Sequence, residues 1–431
     1  MKILLINDNS AHPNWGAQAT PYALMRILQR SIPKARITSL SWDWLRHVYR
    51  VLPFFKPARY MLMPPPRCVF TKKRRLSLAQ RLLHRVSRPV HFYPAVADDF
   101  AAHADMWLRG HGGPDADEFM KLARNSDIVI YNGENSIYRN TREGCHGLFL
   151  LWFAKTRLGK PSCLVNHTAQ LNEVQPIMNA MVHLVANTID LVAVREPRSL
   201  SNLHQLGINN ATLFPDVVFA EDPTDFSADA CERWRRHAGL DDDPYFCLSA
   251  SGLPLSQPRG AWNGAVGDLV AALKKLGLRP ILVARDPHCQ FLAEVAKRTG
   301  SLYFGPEHRF ADLWSLFRDA VFSVTGHFHY IIMGASVGCP FIPLSNNNHK
   351  IHGVCEMLQW QRTTPFDATW LTSCQADIVQ EAQRIRANRQ QLSAQLKGRT
   401  ALLRTQARAL GRAVRDVVQN TGASQEAGSE S

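Results

Sequence analysis

The sequence lacks the features that mark several classes of protein. Its 431 residues contain no apolar run long enough to cross a bilayer, which argues against a membrane-spanning helix. The nine cysteines are scattered, without a CxxC pair or a His/Cys cluster at zinc spacing. We therefore expect no disulfide framework, no metal site and a reducing compartment. Residues 1–8 have the pattern of a short strand rather than a signal peptide, so we expect a cytoplasmic location.

Acidic residues are absent from one long stretch. Residues 45–90 contain twelve lysines and arginines and no aspartate or glutamate, in a chain of net charge +14. Residues 72–88 can form a basic amphipathic helix preceded by aromatic residues, a combination typical of peripheral contact with an anionic inner-membrane face. A solvated insertion with locally packed aromatics is an equally good interpretation. Zinc fingers and RNP-type aromatic patterns are absent, so nucleic acid is not an expected partner.

The chain does contain a repeated alternation of short apolar strands and helical segments. The predicted strands are residues 2–7, 127–131, 163–166, 191–194, 213–216, 246–249, 280–284, 321–324 and 340–344. This alternation predicts an α/β fold with mainly parallel, doubly wound sheets that bind ligands beyond their carboxyl edges. The length predicts two domains. We place them at residues 1–225, with an insertion at 42–90, and 226–375, followed by a long helix at 376–420 and a disordered tail at 421–431.

One stretch, residues 321–350, concentrates residue types that are suited to chemistry. His327 and His329 lie on the turn between a predicted strand and a predicted helix, and Lys350 follows the next strand. A helix N-terminus presents free N–H groups and the positive end of a dipole. The stretch therefore predicts an anionic ligand and proton transfer by a histidine.

Six short motifs follow one another along the chain. They are Asn14-Trp15-Gly16-Ala17, Asn132-Gly133-Glu134-Asn135-Ser136, Val194-Arg195-Glu196-Pro197-Arg198-Ser199, Pro215-Asp216, Gly326-His327-Phe328-His329 and His349-Lys350. In this order they resemble the polysaccharide pyruvyl transferase family over most of residues 1–360. Two positions depart from the family pattern, which has an arginine at the position of His327 and a glycine at the position of Asn135.

This resemblance implies two Rossmann-like domains that face each other across a cleft, as in GT-B glycosyltransferases. It also implies transfer of the enolpyruvyl unit of phosphoenolpyruvate to two hydroxyls of a sugar in a polysaccharide or lipid-linked saccharide. The products would be a cyclic pyruvate ketal and phosphate, and neither a cofactor nor a metal is implied.

The strand-end positions and the resemblance together nominate site residues. We predict His329 as general acid, Arg195 for recognition of carboxylate or phosphate, and Glu134 for the sugar hydroxyls. The predicted substrate-binding residues are Asn14, Gly16, Asn132, His167, Arg285, His327 and Lys350.

Each catalytic assignment has a structural alternative. His329 and Glu134 can cap helices, and Arg195 can pair with Glu196 or Glu134. Asp216 is expected to orient Arg195 or to cap a turn. A helix N-terminus disfavours a protonated histidine, so His329 as an acid needs an anion beside it, which phosphoenolpyruvate would supply.

Two other functions fit the same pattern. A GT-B enzyme that uses a nucleotide-sugar donor would have the same architecture. A non-catalytic glycan-binding or assembly protein would account for the missing family arginine at His327.

Overall fold

The computed structural model describes residues 1–41, 44–46, 49–51, 88–90, 93–134, 136–137, 141–170, 175–240, 243–251, 259–284, 289–346 and 348–429. The first domain is built on a six-stranded parallel sheet. Its strands are β1 (Lys2–Asp8), β2 (Arg36–Ser41), β5 (Ile128–Glu134), β6 (Ser162–His167), β7 (Leu191–Val194) and β8 (Ala211–Leu213). They lie in the order β2-β1-β5-β6-β7-β8. A separate antiparallel pair joins β3 (Tyr49–Val51) to β4 (Arg88–Val90).

Helices cover both faces of this sheet. They are Trp15–Ser31, Phe100–Leu108, Pro114–Arg124, Arg142–Leu158, Pro176–Ala186 and Pro197–Gln205, with single 3₁₀ turns at Trp44–Arg46, Ala97–Asp99, Val217–Ala220 and Pro223–Asp225. Every residue of β5 and of β6 is buried. Their continuous apolar runs, rather than alternating ones, are typical of a parallel sheet that is covered on both sides.

The second domain repeats the architecture with five parallel strands. These are β9 (Tyr245–Ser251), β10 (Arg279–Val283), β11 (Leu302–Phe304), β12 (Ser323–Gly326) and β13 (Phe341–Pro343), in the order β11-β10-β9-β12-β13. Its helices are Asp229–His237, Arg259–Lys274, Phe291–Thr299, Asp312–Asp319, Phe328–Ser336 and Lys350–Met357, with a 3₁₀ turn at Ala368–Trp370.

The order of strands reverses once in each sheet. In the first sheet the reversal lies between β1 and β5, and in the second it lies between β9 and β12. Such switch points open a crevice at the carboxyl ends of the strands. Glu134 ends β5, and His327 and His329 directly follow β12, so the predicted residues lie at these crevices.

Two helices end the chain, Leu371–Ala387 and Arg389–Ser429. The longer one packs on the first domain, against helix Trp15–Ser31 and the turn Val217–Ala220, and on helix Phe328–Ser336 of the second. Its buried apolar side chains, including Leu403, Leu410 and Val414, complete one core that extends through both domains. The prediction of a long C-terminal helix is confirmed, and it joins the two domains.

Two sequence predictions need correction. The single helix at 376–420 is two helices, because Asn388 leaves the helical conformation (φ −112°, ψ 17°) and its side chain binds the carbonyl of Arg384 at 2.8 Å. The tail predicted to be disordered from residue 421 continues the helix to Ser429. Residues 223–244, between the strands of the two sheets, include helix Asp229–His237, which buries Cys231.

Most of the basic insertion lies outside the described residues, including residues 72–87 of the amphipathic helix predicted at 72–88; residue 88 belongs to β4. Within the residues that are described, no helix is long and apolar enough to cross a membrane.

Candidate active site

Three neighbouring strands of the first sheet end in a left-handed backbone conformation. Asn7, Glu134 and Asn166 have φ values of 70°, 33° and 56°. Asparagine tolerates this conformation better than most residues, because its short side chain can bond locally. Asn7 Nδ2 donates to the carbonyl of Asn132 at 2.6 Å, and Asn166 Nδ2 donates to Asn132 Oδ1 at 3.4 Å. This asparagine ladder fixes the carboxyl edge of the sheet.

Asn132 and Glu134 were both predicted to contact the substrate, and in the structure their side chains have different surroundings. Asn132 has no exposed surface and is the middle of the ladder. Glu134 is buried at the end of β5, and Asn9 Nδ2 donates to its Oε2. Its backbone carbonyl accepts from the N–H of Thr168, which follows β6. The Glu134 carboxylate is therefore held by Asn9, which follows β1, and its backbone is held by Thr168, which follows β6.

Arg195, at the end of β7, forms an internal ion pair. Its Nη1 donates to Asp216 Oδ2 at 3.0 Å and its Nε donates to Thr168 Oγ1 at 2.9 Å. The guanidinium carbon lies 4.6 Å from the centroid of the Phe328 ring. The expected orienting role of Asp216 is thus seen in the structure, in place of an ion pair with Glu196 or Glu134. No acceptor for Arg195 Nη2 occurs in the described part of the chain, so that nitrogen remains able to bind an anion.

His329 reaches the same carboxylate from the second domain. Its Nε2 lies 3.5 Å from Asp216 Oδ2, which is within ion-pair distance but long for a hydrogen bond. The anion that was expected from the substrate is therefore present in the protein. His329 and Arg195 come from different domains and share Asp216.

Gly16 gives His329 its space. A Cβ atom added to Gly16 would lie 2.3 Å from His329 Nδ1 and 2.8 Å from Cγ. Only glycine lets the first turn of helix Trp15–Ser31 approach the imidazole this closely. Gly16 stays a predicted substrate-binding residue, and in the structure it lies against the imidazole of the second domain.

The Asp216 carboxylate is held ionised by these contacts. Burial alone would raise its pKa, but the charges of His329 and Arg195 and the N–H of Val218 outweigh burial and lower it. Val218 N donates to Oδ1 at 2.9 Å, so Asp216 also caps the turn Val217–Ala220. Both roles considered for Asp216 from the sequence are present.

Three other predicted residues have contacts or positions of their own. Asn14 caps helix Trp15–Ser31, and its side chain accepts from Ala17 N at 3.1 Å. His327 Nε2 lies 3.4 Å from the sulfur of the buried Cys289. Lys350 is half-buried and begins helix Lys350–Met357.

Two further predictions have different outcomes. His167 is fully buried at the end of β6, and burial lowers its pKa to about 3, so it is neutral at physiological pH. Arg285 lies outside the described residues. Within the described residues, no group of three or more His, Cys, Asp and Glu side chains could hold a metal ion.

Sequence reasoning missed the residues that support the centre, namely Asn7, Asn9, Asn166 and Thr168. Asn7 and Asn166 could have been found from the sequence, because an asparagine at the end of a buried strand is typical of a left-handed turn. No sequence pattern indicates the role of Thr168, since its contact with Arg195 depends on the packing of β6 beside β7.

Solved structures with the same fold define the class of the molecule. The Anabaena protein Alr3699/HepE, solved in complex with UDP, superposes with a TM-score of 0.54 at 14% identity, covering 99% of this chain and 100% of that one. The UDP-GlcNAc 2-epimerase of Methanocaldococcus jannaschii gives a TM-score of 0.50 at 12% identity, covering 90% and 93%. The chain thus has the GT-B fold. Comparison with curated proteins gave no match.

The family follows from the sequence itself. The family model described as polysaccharide pyruvyl transferase matches residues 14–348, which is most of the chain and includes Arg195, Asp216 and His329. The chain belongs to the polysaccharide pyruvyl transferase family, as its motifs indicated.

Proposed function

We propose that the protein transfers the pyruvyl unit of phosphoenolpyruvate to two hydroxyls of a saccharide, forming a pyruvate ketal and releasing phosphate. Membership of the family supports this reaction class. The observation that carries the proposal is the shared carboxylate of Asp216, which holds a histidine of one domain and an arginine of the other at their junction. The reaction needs a proton donor beside a cation that binds an anion, and these two residues supply them.

His329 is the proton donor in this proposal. Asp216 faces its Nε2 and orients the imidazole at the junction of the two domains. Protonation of the methylene carbon of phosphoenolpyruvate makes it a methyl group and leaves positive charge on C2. Attack on C2 by one sugar hydroxyl, followed by loss of phosphate and attack by the second, completes the ketal. Of the two hydroxyl protons released, one balances the proton gained by the methyl group and one leaves with phosphate.

Arg195 and Glu134 serve the two substrates. Arg195 is fixed through Nε and Nη1, so its remaining nitrogen can bind the carboxylate or phosphate of the donor without losing its position. Glu134 is a carboxylate on the same edge of the sheet, held by Asn9, and is assigned to accept a proton from a sugar hydroxyl.

The acceptor is proposed to be a glycan or a lipid-linked saccharide. The twelve basic residues between 45 and 90 support contact with anionic headgroups, where a lipid-linked acceptor would lie. Flotation with phosphatidylglycerol vesicles should carry the protein, and phosphatidylcholine vesicles should not. Equal behaviour with both would leave the basic segment as a solvated insertion and would count against a membrane acceptor.

The test is phosphate release from phosphoenolpyruvate with a panel of saccharides, with the product followed by mass spectrometry. We expect release that depends on the acceptor, and a product heavier by one ketal-linked pyruvate. Silence of both the native protein and His327→Arg, which restores the family residue, would contradict the proposal. Calorimetric binding of a nucleotide-sugar in place of phosphoenolpyruvate would favour a glycosyltransferase instead.

A further inference from the structure

A second buried ion pair joins the two domains beside the Asp216 centre. Glu196 has no exposed surface, and its Oε1 lies 2.9 Å from Nε2 of His349 in the second domain. Glu196 directly follows Arg195 at the end of β7, and His349 directly precedes Lys350. The pair therefore connects two backbone segments, each of which carries a cation predicted to bind the donor.

The first domain holds Glu196 firmly. Glu196 caps helix Pro197–Gln205, and its carboxylate accepts from Ser199 N at 3.1 Å and from the Ser199 hydroxyl. The hydroxyl oxygen in turn accepts from Ala169 N at 2.7 Å, after β6. Burial would raise the pKa of Glu196, but the bond to His349 and the Ser199 contacts lower it, so the carboxylate is ionised.

The second domain is shaped to receive this carboxylate. A Cβ atom on Gly353, one turn after His349, would lie 2.6 Å from Glu196 Oε2. Helix Lys350–Met357 therefore approaches helix Pro197–Gln205 as closely as the glycine permits. The same helices carry a second ion pair, in which Arg198 Nε and Nη2 both donate to Glu356 Oε1, at 2.9 and 2.6 Å, but it is partly exposed.

We propose that Glu196 and His349 are positioning residues, whose pairing sets the separation of the domains at which Arg195 and Lys350 bind one donor molecule and His329 reaches Asp216. A buried pair suits this role, because removal of one partner leaves an uncompensated charge that only a domain shift can expose to water. Removal of one partner of the partly exposed Arg198–Glu356 pair would not force a domain shift, since water can solvate the partner that remains.

The kinetic part of the test rests on the proposed function. In His349→Leu we expect the KM for phosphoenolpyruvate to rise about tenfold or more, and in His349→Gln, which keeps a neutral donor, about threefold. The double variant Glu196→Gln with His349→Gln forms a neutral amide pair and should return KM to within about twofold of the native value. Arg198→Gln is the matched control on the same helices and should leave KM unchanged. A merely structural pair would lower the folded fraction, and so kcat, at constant KM.

Hydrogen exchange measured by mass spectrometry gives a reading that needs no turnover. In His349→Leu, or in His349→Gln if the leucine variant does not fold, exchange should quicken in peptides covering residues 194–200 and 326–331. Exchange in β10 should not change, and the double variant should restore native protection. Native exchange in both segments, or an unchanged KM, would overturn the proposal. If the native protein releases no phosphate, the proposed reaction fails, and the exchange data still decide the role of the pair.

Discussion

Replacement of Asp216 by asparagine is the sharpest perturbation that the structure offers. Asparagine has nearly the same shape and keeps an acceptor for the Val218 N–H, which Asp216 Oδ1 binds at 2.9 Å. It removes the charge that lies 3.0 Å from Arg195 Nη1 and 3.5 Å from His329 Nε2. The Arg195 side chain is 1% exposed, so Asp216→Asn would leave a buried guanidinium without a carboxylate beside it.

The cost of this change can be set against a matched control. Removal of one partner of a buried pair typically costs about 3–5 kcal/mol, because the remaining charge is neither paired nor solvated. Asp222 resembles Asp216 closely: it caps a 3₁₀ turn through Thr224 N at 3.1 Å and pairs with Arg404 at 3.0 Å. Its side chain is 33% exposed, so Asp222→Asn should cost about 1 kcal/mol or less.

The assay is urea unfolding of both variants, followed by tryptophan fluorescence. We expect Asp216→Asn to lose at least about 2 kcal/mol more than Asp222→Asn. Phosphate release by the folded Asp216→Asn variant should also fall, since His329 loses its orienting anion. Equal losses of unfolding free energy would refute the reasoning, because they would show that the buried Arg195–Asp216 pair stabilises the protein no more than the partly exposed Asp222–Arg404 pair.

Three further predictions follow. Gly16→Ala should lower phosphate release about tenfold or more and cost about 1–3 kcal/mol of stability, because the new methyl group would displace the His329 ring. His327→Arg should tighten phosphoenolpyruvate binding in calorimetry, since a guanidinium stays charged where an imidazole does not. Asp216 and Glu196 have lowered pKa values in the folded protein. The stability that they contribute is therefore fully present above the unfolded carboxyl pKa of about 4, and it is lost as the pH falls through their folded pKa values. The unfolding free energy of Asp216→Asn should therefore fall less steeply in acid than that of the native protein.

The first of these predictions has a control variant, and the other two have outcomes that would contradict them. Gly398 lies within the long helix with open space around its Cα, so Gly398→Ala should raise stability by up to about 1 kcal/mol and leave turnover unchanged. Weaker donor binding by His327→Arg would mean that this position does not face the donor. An unchanged acid slope in Asp216→Asn would mean that the carboxylate is not ionised through its native contacts.

Much of the fold could be predicted from the sequence, because buried parallel strands are continuous apolar runs. The strands β2 and β11 were not predicted, because they lack such a continuous apolar run. Both are edge strands with half-exposed residues, so β2 (Arg36–Ser41) is largely polar and β11 (Leu302–Phe304) is very short. The α/β class and the pair of parallel sheets were correct.

The site was only partly predictable. Strand-end positions correctly placed His329, Arg195 and Glu134 at the carboxyl edges of the sheets. The orienting of Arg195 by Asp216 was one of the roles expected for Asp216. The sequence could not show that Gly16 receives the His329 ring, because that contact depends on how the two domains meet. The Glu196–His349 pair, separated by 153 positions, was invisible for the same reason.

The central claim is that His329, held by Asp216, protonates phosphoenolpyruvate during pyruvyl transfer. Its most direct test compares native protein with His329→Gln, at equal folded concentration, for phosphate release and ketal formation on the same acceptor. The account predicts acceptor-dependent release by the native protein and a loss of about a hundredfold or more in the variant. Equal rates in the two proteins would contradict it.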